Sequence, residues 1–557
     1  VDRPPQERPQ AALVVASAVH LARGLYLLRQ VRDLGVPCAL LLTMVDVAAR
    51  RGLSVDVAAL AEATGVPVVA LDPRRRARTE EVAALVVDLL ARSAPAEGTA
   101  EAGVGGDEAD PDALEAAEER FAWVSAAIAA ATRREADHPG TWSDRLDRFT
   151  TAPVIGPLIF LAVMWLVFQA TTTIAAPLQD ALDTFFAGPV SDAATAVLSA
   201  LGLEDTWVQG LVVDGLIAGV GMLLTFVPLM AVMFALLSLL EDSGYMARAA
   251  VVTDRAMRAI GLPGRAFLPL IVGFGCNVPA ISGTRVLPDA RHRLLTVLLV
   301  PFTSCTARLA VYVLVATVFF GDRAGTVVFA MYVVSIVLVV LVGLLLRATL
   351  VRQFGDDPLV LDLPPYQVPL PRLVASGTWR RLRGFLRTAS GIIVVTVVAV
   401  WALSVTPAIG SSGSFGDVPV QDSVYASVSG AVAPVFTPAG FGTWETTSAL
   451  IVGFVAKEAV ISSWAQTYAT AEPEAVDDPG GLGDALRVSF EQSSGGHPLP
   501  AVIAFLVFLL AYTPCVATLA AQKREVGLRW TLVGVGVQLA VAWLLAVAIF
   551  QVGRIWW

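Results

Sequence analysis

The stretches "LIVGFGCNVPAIS" (270–282) and "LIVGFVAKEAVIS" (450–462) are one apolar word written twice along the chain. A second pair follows in the same order. "TSCTARLA" (303–310) matches "TPCVATLA" (513–520), with Cys305 aligned on Cys515. Within each word an apolar run is interrupted by Gly and polar residues. The segments 266–284 and 445–465 are therefore expected to be re-entrant or discontinuous helices facing a cavity, because irregular backbone at membrane depth needs protein or water around it.

Outward from these words, apolar stretches long enough to cross a bilayer recur at about 153–173, 211–240, 294–319, 325–346, 388–406, 498–520 and 529–552. About 20 helical residues span the hydrocarbon core. Each copy then reads as span, broken segment, span, span, with repeat 1 at about 211–346 and repeat 2 at about 388–552. Charge placement sets their sense. Loops 174–210 and 407–444 carry no Lys or Arg, whereas 241–265, 285–293, 347–387 and 521–529 carry 4, 3, 7 and 3. Placing the basic loops in the cytoplasm puts the N-terminus inside and turns the second copy upside down relative to the first. The expected fold is mainly α: a polytopic membrane protein with two inverted repeats, preceded by a partial α/β segment. Inverted repeats with broken helices place a substrate site near the midplane where they meet.

Composition agrees. Of 557 residues, 56% are hydrophobic and 16% charged, against roughly 25% charged in soluble domains. The formal charge of −9, from 39 basic and 48 acidic residues, disfavours a nucleic-acid partner. Four scattered cysteines exclude a disulfide scaffold. Residues 1–150 are not membrane-like. Amphipathic stretches at 19–34 and 55–64 precede the short apolar runs 39–44 and 66–71, a pattern of parallel βαβ units. Residues 94–112 read as a linker, and 113–137 as an exposed, charged helix.

Ionisable and polar groups inside a bilayer are costly and tend to face a pathway. Cys276, Cys305 and Cys515 occupy the repeated words, beside Pro279 and Pro514, which free helical carbonyls. A lone buried cysteine is usually a small hydrophobe. Three at matched places, with Asn277 and free carbonyls, suit Fe(II), Zn or Cu(I) and not Na⁺ or Mg²⁺. Glu241 and Asp242 end a span and either concentrate cations at a mouth or pair with Arg248. Lys457 and Glu458 are adjacent in the second broken segment and suggest a gating or structural ion pair. Asp214 is a weaker candidate, and Arg308 is expected to satisfy carbonyls or a carboxylate. His20, His138, His292 and His497 are dispersed, against a His-based zinc site.

These residues, with "LLEDSGYMARAA" (239–250), "PFTSCTARLAVY" (301–312), "LDLPPYQVP" (361–369), "GFVAKEAV" (453–460) and "YTPCVATLA" (512–520), resemble the ferrous iron transport protein B family over essentially all of 145–552. The resemblance implies a nucleoside-transporter-like gate fold in a bacterial cytoplasmic membrane. It also implies Fe(II) as substrate on a path through Cys276, Cys305 and Cys515, with Asn277, Glu241 and Asp242 near it. Lipid, a small cytoplasmic iron-transport accessory protein and a homo-oligomer are the implied partners. Mn or Zn transport is the alternative within the same class, and a non-transporting sensor the alternative outside it.

The family also implies a GTPase domain, and residues 11–92 look like only its second half. Asp46 matches the carboxylate of the guanine-reading "NxxD" motif, while Thr43 replaces its Asn and Leu71-Asp72 replaces Ser-Ala. No Gly-x4-Gly-Lys-Ser/Thr occurs, and Lys457 and Lys523 are the only lysines. With no loop to cradle phosphates, this chain is not expected to hydrolyse GTP; GTP with Mg is a doubtful ligand, and nucleotide contact at Asp46 and Thr43 stays open as a weak assignment. A natural loss and a GTP-regulated transporter whose GTPase half lies outside this chain are both consistent with that. The domain organisation so read is 1–93 degenerate G-domain-like, 94–150 linker and cytoplasmic helical region, and 151–552 permease.

Overall fold

The computed structural model describes residues 9–72, 79–92, 111–134, 142–204, 206–287, 289–350, 366–409, 414–416, 418–468, 470 and 480–556. The chain divides into two compact units, Val1–Arg148 and Phe149–Trp557.

In the first unit the elements run β1 (Ala12–Ser17), α1 (Leu21–Asp33), β2 (Cys38–Thr43), α2 (Val45–Arg50), β3 (Leu53–Val55), α3 (Val57–Thr64), β4 (Val68–Ala70), α4 (Thr79–Arg92), α5 (Pro111–Ala131) and β5 (Thr132–Arg134). Strands β1, β2 and β4 form a parallel sheet in that order. The β2 sequence "CALLLT" is apolar throughout because helices cover both faces of such a sheet. Asp56 caps α3 by accepting from the amides of Ala58 and Ala59. The expected βαβ pattern is present. α5 departs from the expected exposed helix: Val124, Ala127 and Ala131 are buried in this unit's core, and the charges occupy its other face. The linker expected at 94–112 lies almost wholly outside the described residues. Burial pushes the Cys38 thiol up, consistent with a packing role.

Helix α6 (Trp142–Thr150) carries the chain across the division, and the second unit is helical. Its helices are α7 (Ile155–Phe185), α8 (Ser191–Ala200), α9 (Trp207–Gly210), α10 (Ala218–Asp242), α11 (Tyr245–Ala259), α12 (Phe267–Gly275), α13 (Asn277–Gly283), α14 (Ala290–Leu299), α15 (Thr306–Phe320), α16 (Ala324–Leu350), α17 (Pro371–Val405), α18 (Val424–Val432), α19 (Trp444–Val455), α20 (Ala459–Thr467), α21 (Gly480–Ser494), α22 (Pro498–Ala511) and α23 (Val516–Trp556). Five helical stretches among the described residues are long and apolar enough to cross a membrane: Ile155–Ala200, Trp207–Asp242, Ala290–Thr349, Pro371–Val405 and Pro498–Trp556. Leu158, Trp165, Phe329 and Val395 point outward from these helices, as lipid-facing side chains do.

Three expectations change. The stretch 174–210, which carries no Lys or Arg, is helical through Ala200, because α7 continues into a π turn (Phe186–Val190) and α8. The runs 294–319 and 498–520 are not continuous helices. They break at Thr303–Cys305 and at Tyr512–Cys515, where Pro301 and Pro514 interrupt the ladder. The basic stretch 521–529 is no loop: it lies within α23, which turns at Gly527 with φ 82° and ψ 166°.

Candidate functional site

Four interruptions bring the repeated words together. α12 ends at Gly275, Cys276 is extended at φ −149° and ψ 130°, and α13 begins at Asn277. In the other copy α19 ends at Val455, and Ala456 takes φ −147° and ψ 132° before Lys457, Glu458 and α20. Thr303 and Cys305 are extended ahead of α15, and Tyr512 is extended ahead of α23. A helix that stops inside a bundle leaves amides and carbonyls without intrahelical partners. Glycine lets the interruptions approach one another. A Cβ on Gly273 would run into the Thr303 hydroxyl, and one on Gly453 would meet Val460 Cγ2 at 2.5 Å and the Tyr512 hydroxyl at 2.8 Å.

Side chains tie each pair of interruptions. Thr303 Oγ1 donates to Asn277 Oδ1 at 3.2 Å, and Thr306 Oγ1 to the Gly275 carbonyl at 3.1 Å. Across the other pair, Lys457 Nζ donates to the Thr513 carbonyl at 2.7 Å and lies 3.2 Å from the centre of the Tyr512 ring. Arg308, fully buried, donates through Nη1 to the carbonyls of Thr303 at 2.8 Å and Pro301 at 3.2 Å. Its partners are thus carbonyls, the first of the two possibilities its sequence position offered. Cys515 Sγ and Thr518 Oγ1 are 3.2 Å apart.

Cys515, Cys305 and Glu458 lie within electrostatic reach of Cys276, and Arg308, Cys515, Cys305 and Glu458 within that of Lys457. This is a set of soft sulfurs with one carboxylate, amide oxygen and interrupted backbone around it, a donor chemistry for borderline-soft divalent metals. It is not a closed ligand shell. Among the described residues, no three His, Cys, Asp or Glu side chains are grouped as a metal site.

Glu241 and Asp242 lie outside this set, both exposed at the end of α10. Glu241 pairs with Arg381 of α17 at 2.6 Å, while Arg248 donates to the Gly244 carbonyl and stacks on Tyr366. Arg248 is therefore not the partner of Glu241. That carboxylate lines a cavity of about 600 Å³ with Arg285, Arg381 and Arg524, which reaches Val278, Pro279 and Ala517 beside the interruptions. A second cavity, of about 570 Å³, holds Asp183, Asp214, Ser462 and Glu458. Asp214 sits in a π-helical segment (Leu211–Ile217), a geometry frequent at functional sites. No cysteine lines either cavity.

In the first unit, Thr43 and Asp46 stand at the carboxyl end of β2, where open α/β sheets bind ligands. Thr43 Oγ1 donates to the Ala16 carbonyl, and Asp46 pairs with Arg50 at 2.9 Å. With both side chains engaged locally and no phosphate loop in the chain, these residues do not fit a GTP–Mg group.

The sequence reading missed Thr303, Thr513, Thr518 and Tyr512, although a threonine stands at the same place in both "TSC" and "TPC". It also missed Asp183, which falls in the stretch read as a loop.

Residues 223–319 and 386–529 match the family model described as Gate, nucleoside recognition. Residues 328–381 match the C terminus of ferrous iron transport protein B, and residues 5–86 match ferrous iron transport protein B. The Fe(2+) transporter FeoB of Staphylococcus aureus (strain COL) is 39% identical over 416 residues, covering 74% of this chain and 60% of that protein. That of Methanocaldococcus jannaschii is 37% identical over 421 residues, covering 74% and 59%. That of Salmonella typhi is 32% identical over 638 residues, covering 97% and 81%. The chain thus spans about three fifths of the length of the first two. No solved structure matches it.

Proposed function

Because this chain belongs to the ferrous iron transport protein B family, we propose that it carries Fe(II) across a bacterial cytoplasmic membrane along Cys276, Cys305 and Cys515. The observation that carries this reading is the convergence of three thiols on interrupted helices inside an apolar bundle. Fe(II) gives up water only where other donors replace it, and thiolate, carbonyl and carboxamide oxygen suit it better than they suit Mg²⁺.

The acidic cavity around Asp183, Asp214 and Glu458 concentrates cations, and Glu458 faces it at the interruption after α19. The cavity with Glu241, Arg285, Arg381 and Arg524 approaches from α10, α13 and α23. The thiols lie on neither wall, so the path is closed between the cavities and transport requires the interruptions to move. The two copies of the repeated words, read as inverted, offer two such gates, and Lys457 with Glu458 belongs to the second. Asp242 is assigned to the same mouth as Glu241. The N-terminus is placed in the cytoplasm. A small cytoplasmic accessory protein and a second copy of the chain are the partners proposed with this reading. Nucleotide contact through Asp46 and Thr43 would require Asp46 to leave Arg50, and no transport step is routed through it.

Radioactive iron uptake in a host lacking its own ferrous transporter tests the reading. Uptake should fall when Cys276, Cys305 or Cys515 is changed to Ala. Uptake indifferent to all three changes sinks the thiol path, and stronger competition by Mn(II) or Zn(II) than by Fe(II) itself would reassign the substrate.

A further inference from the structure

The carbonyls of Thr303 and Thr513 occupy matching places in the two copies of the repeated word, and each accepts from a buried cation. Arg308 Nη1 holds the first at 2.8 Å, and Lys457 Nζ holds the second at 2.7 Å. Both cations are nearly excluded from solvent, at 0% and 2% exposure. They reach their carbonyls differently. Arg308 is three residues beyond the end of its own interruption and holds two carbonyls through Nη1 alone. Lys457 comes from a different helix pair, on a flexible four-carbon stem, and among the described residues it holds one carbonyl and one aromatic face. Lys457 lies within electrostatic reach of Cys305 and Cys515.

A substrate cation approaching Cys515 meets a carbonyl two residues away that is already occupied by an ammonium. We propose that Lys457 is a tethered stand-in for the substrate: it holds the Thr513 carbonyl and the Tyr512 face while the path is empty, and it leaves when a divalent cation takes that carbonyl beside Cys515. Arg308 holds the Thr303 carbonyl permanently, so the exchange is confined to the second copy. The stand-in satisfies a buried carbonyl that would otherwise be left unpaired. It also fills the site with a cation, which disfavours entry of hard monovalent ions that bring no thiol affinity. This rests on the metal-path reading above.

The test uses the full chain in proteoliposomes and reads protection of Cys515 from a membrane-permeant maleimide. The cysteine is probed with Cys38 changed to Ala, as a function of Fe(II), Mn(II) and Zn(II). Lys457→Met keeps the stem and removes the ammonium, so half-protection should need about tenfold less metal, the factor equivalent to about 1.4 kcal/mol. Lys457→Arg places a bulkier fixed cation there and should require about tenfold more. Tyr512→Leu removes the ring beneath the ammonium, together with the hydroxyl that reaches the Leu450 carbonyl at 3.5 Å, and should shift protection the same way as Lys457→Met by about threefold. If all three stay within twofold of the parent while the parent is protected, the stand-in role is wrong and Lys457 is a structural tie. If Zn(II) or Mn(II) protects the parent and Fe(II) does not, the substrate assignment fails. The same shifts, read with the protecting metal, then still support the stand-in. No protection of the parent by any of the three overturns both.

Discussion

The interruption at Cys276 and the interruption at Ala456 have the same backbone, φ −149° and ψ 130° against −147° and 132°, and opposite chemistry. The first offers a thiol and a carboxamide that pairs with a hydroxyl. The second offers a methyl group, an ammonium on a carbonyl and a carboxylate facing a cavity. The glycines at 273 and 453 and the shared "LIVGF" preserve the shape of the break, while the residues immediately after it are free to differ. Duplicated architecture therefore does not mean duplicated function. At this pair of breaks the thiol and carboxamide stand on one copy and the ammonium and carboxylate on the other.

Substitutions at matching places break or sharpen that contrast. The largest effect is expected at Arg308, whose removal strands two buried carbonyls. Arg308→Met should cost about 3 kcal/mol of stability, against about 1 kcal/mol for Thr518→Ala at the matching position, measured by unfolding in detergent. Equal costs would mean that the two copies are held together alike. Next come the close approaches. Gly273→Ala and Gly453→Ala each drive a methyl group into the neighbouring interruption and should cost about 2 kcal/mol apiece, seen as a lowered Tm. Here the copies should behave the same, because shape is what they share. On transport they should diverge. Cys276→Ala is expected to lower iron uptake about tenfold, about 1.4 kcal/mol, and adding a thiol by Ala456→Cys in that background should not restore it. Restoration would make the two places interchangeable. The smallest effect belongs to the exposed Glu241–Arg381 pair: Glu241→Gln should change stability by about 0.5 kcal/mol, and that difference should vanish in 1 M salt.

The apolar runs and the repeated words made the helical bundle and two of its interruptions legible before any coordinates. The other two were hidden, because Thr, Ser and Cys inside an apolar run do not lower its mean hydropathy enough to divide it, and only Pro301 and Pro514 hint at a break. The helix through Ala200 was hidden by the opposite error, since a stretch without Lys or Arg reads as an outer loop whether or not it is helical. Of the site, the three cysteines, Lys457 and Glu458 were found by type and place. The threonines were not, since their role depends on which hydroxyl meets which amide across 26 residues, as at Thr303 and Asn277. Nor was Arg381, which lies 140 residues from the Glu241 it pairs with. Periodicity carries no record of such distant contacts. The buried face of α5 was obscured by the charges on its other side.

Gly527 has a mechanical meaning. Its φ of 82° and ψ of 166° fall in a region that essentially only glycine occupies. An unbroken 41-residue helix would be a stiff rod of about 60 Å, passing any twist beside Cys515 to its far end. The joint at Gly527 shortens that lever to the 11 residues from 516 to 526, about 17 Å. Beyond it, Trp543 and Gln551 are clamped to the carbonyls of Val435 and Pro438. The arm that carries Ala517, Arg524 and Glu525 on the cavity wall is held separately, by Glu525 on Arg285 at 2.6 Å and Gln522 on the Val297 carbonyl at 3.1 Å, so the two sides of the joint answer to different parts of the bundle.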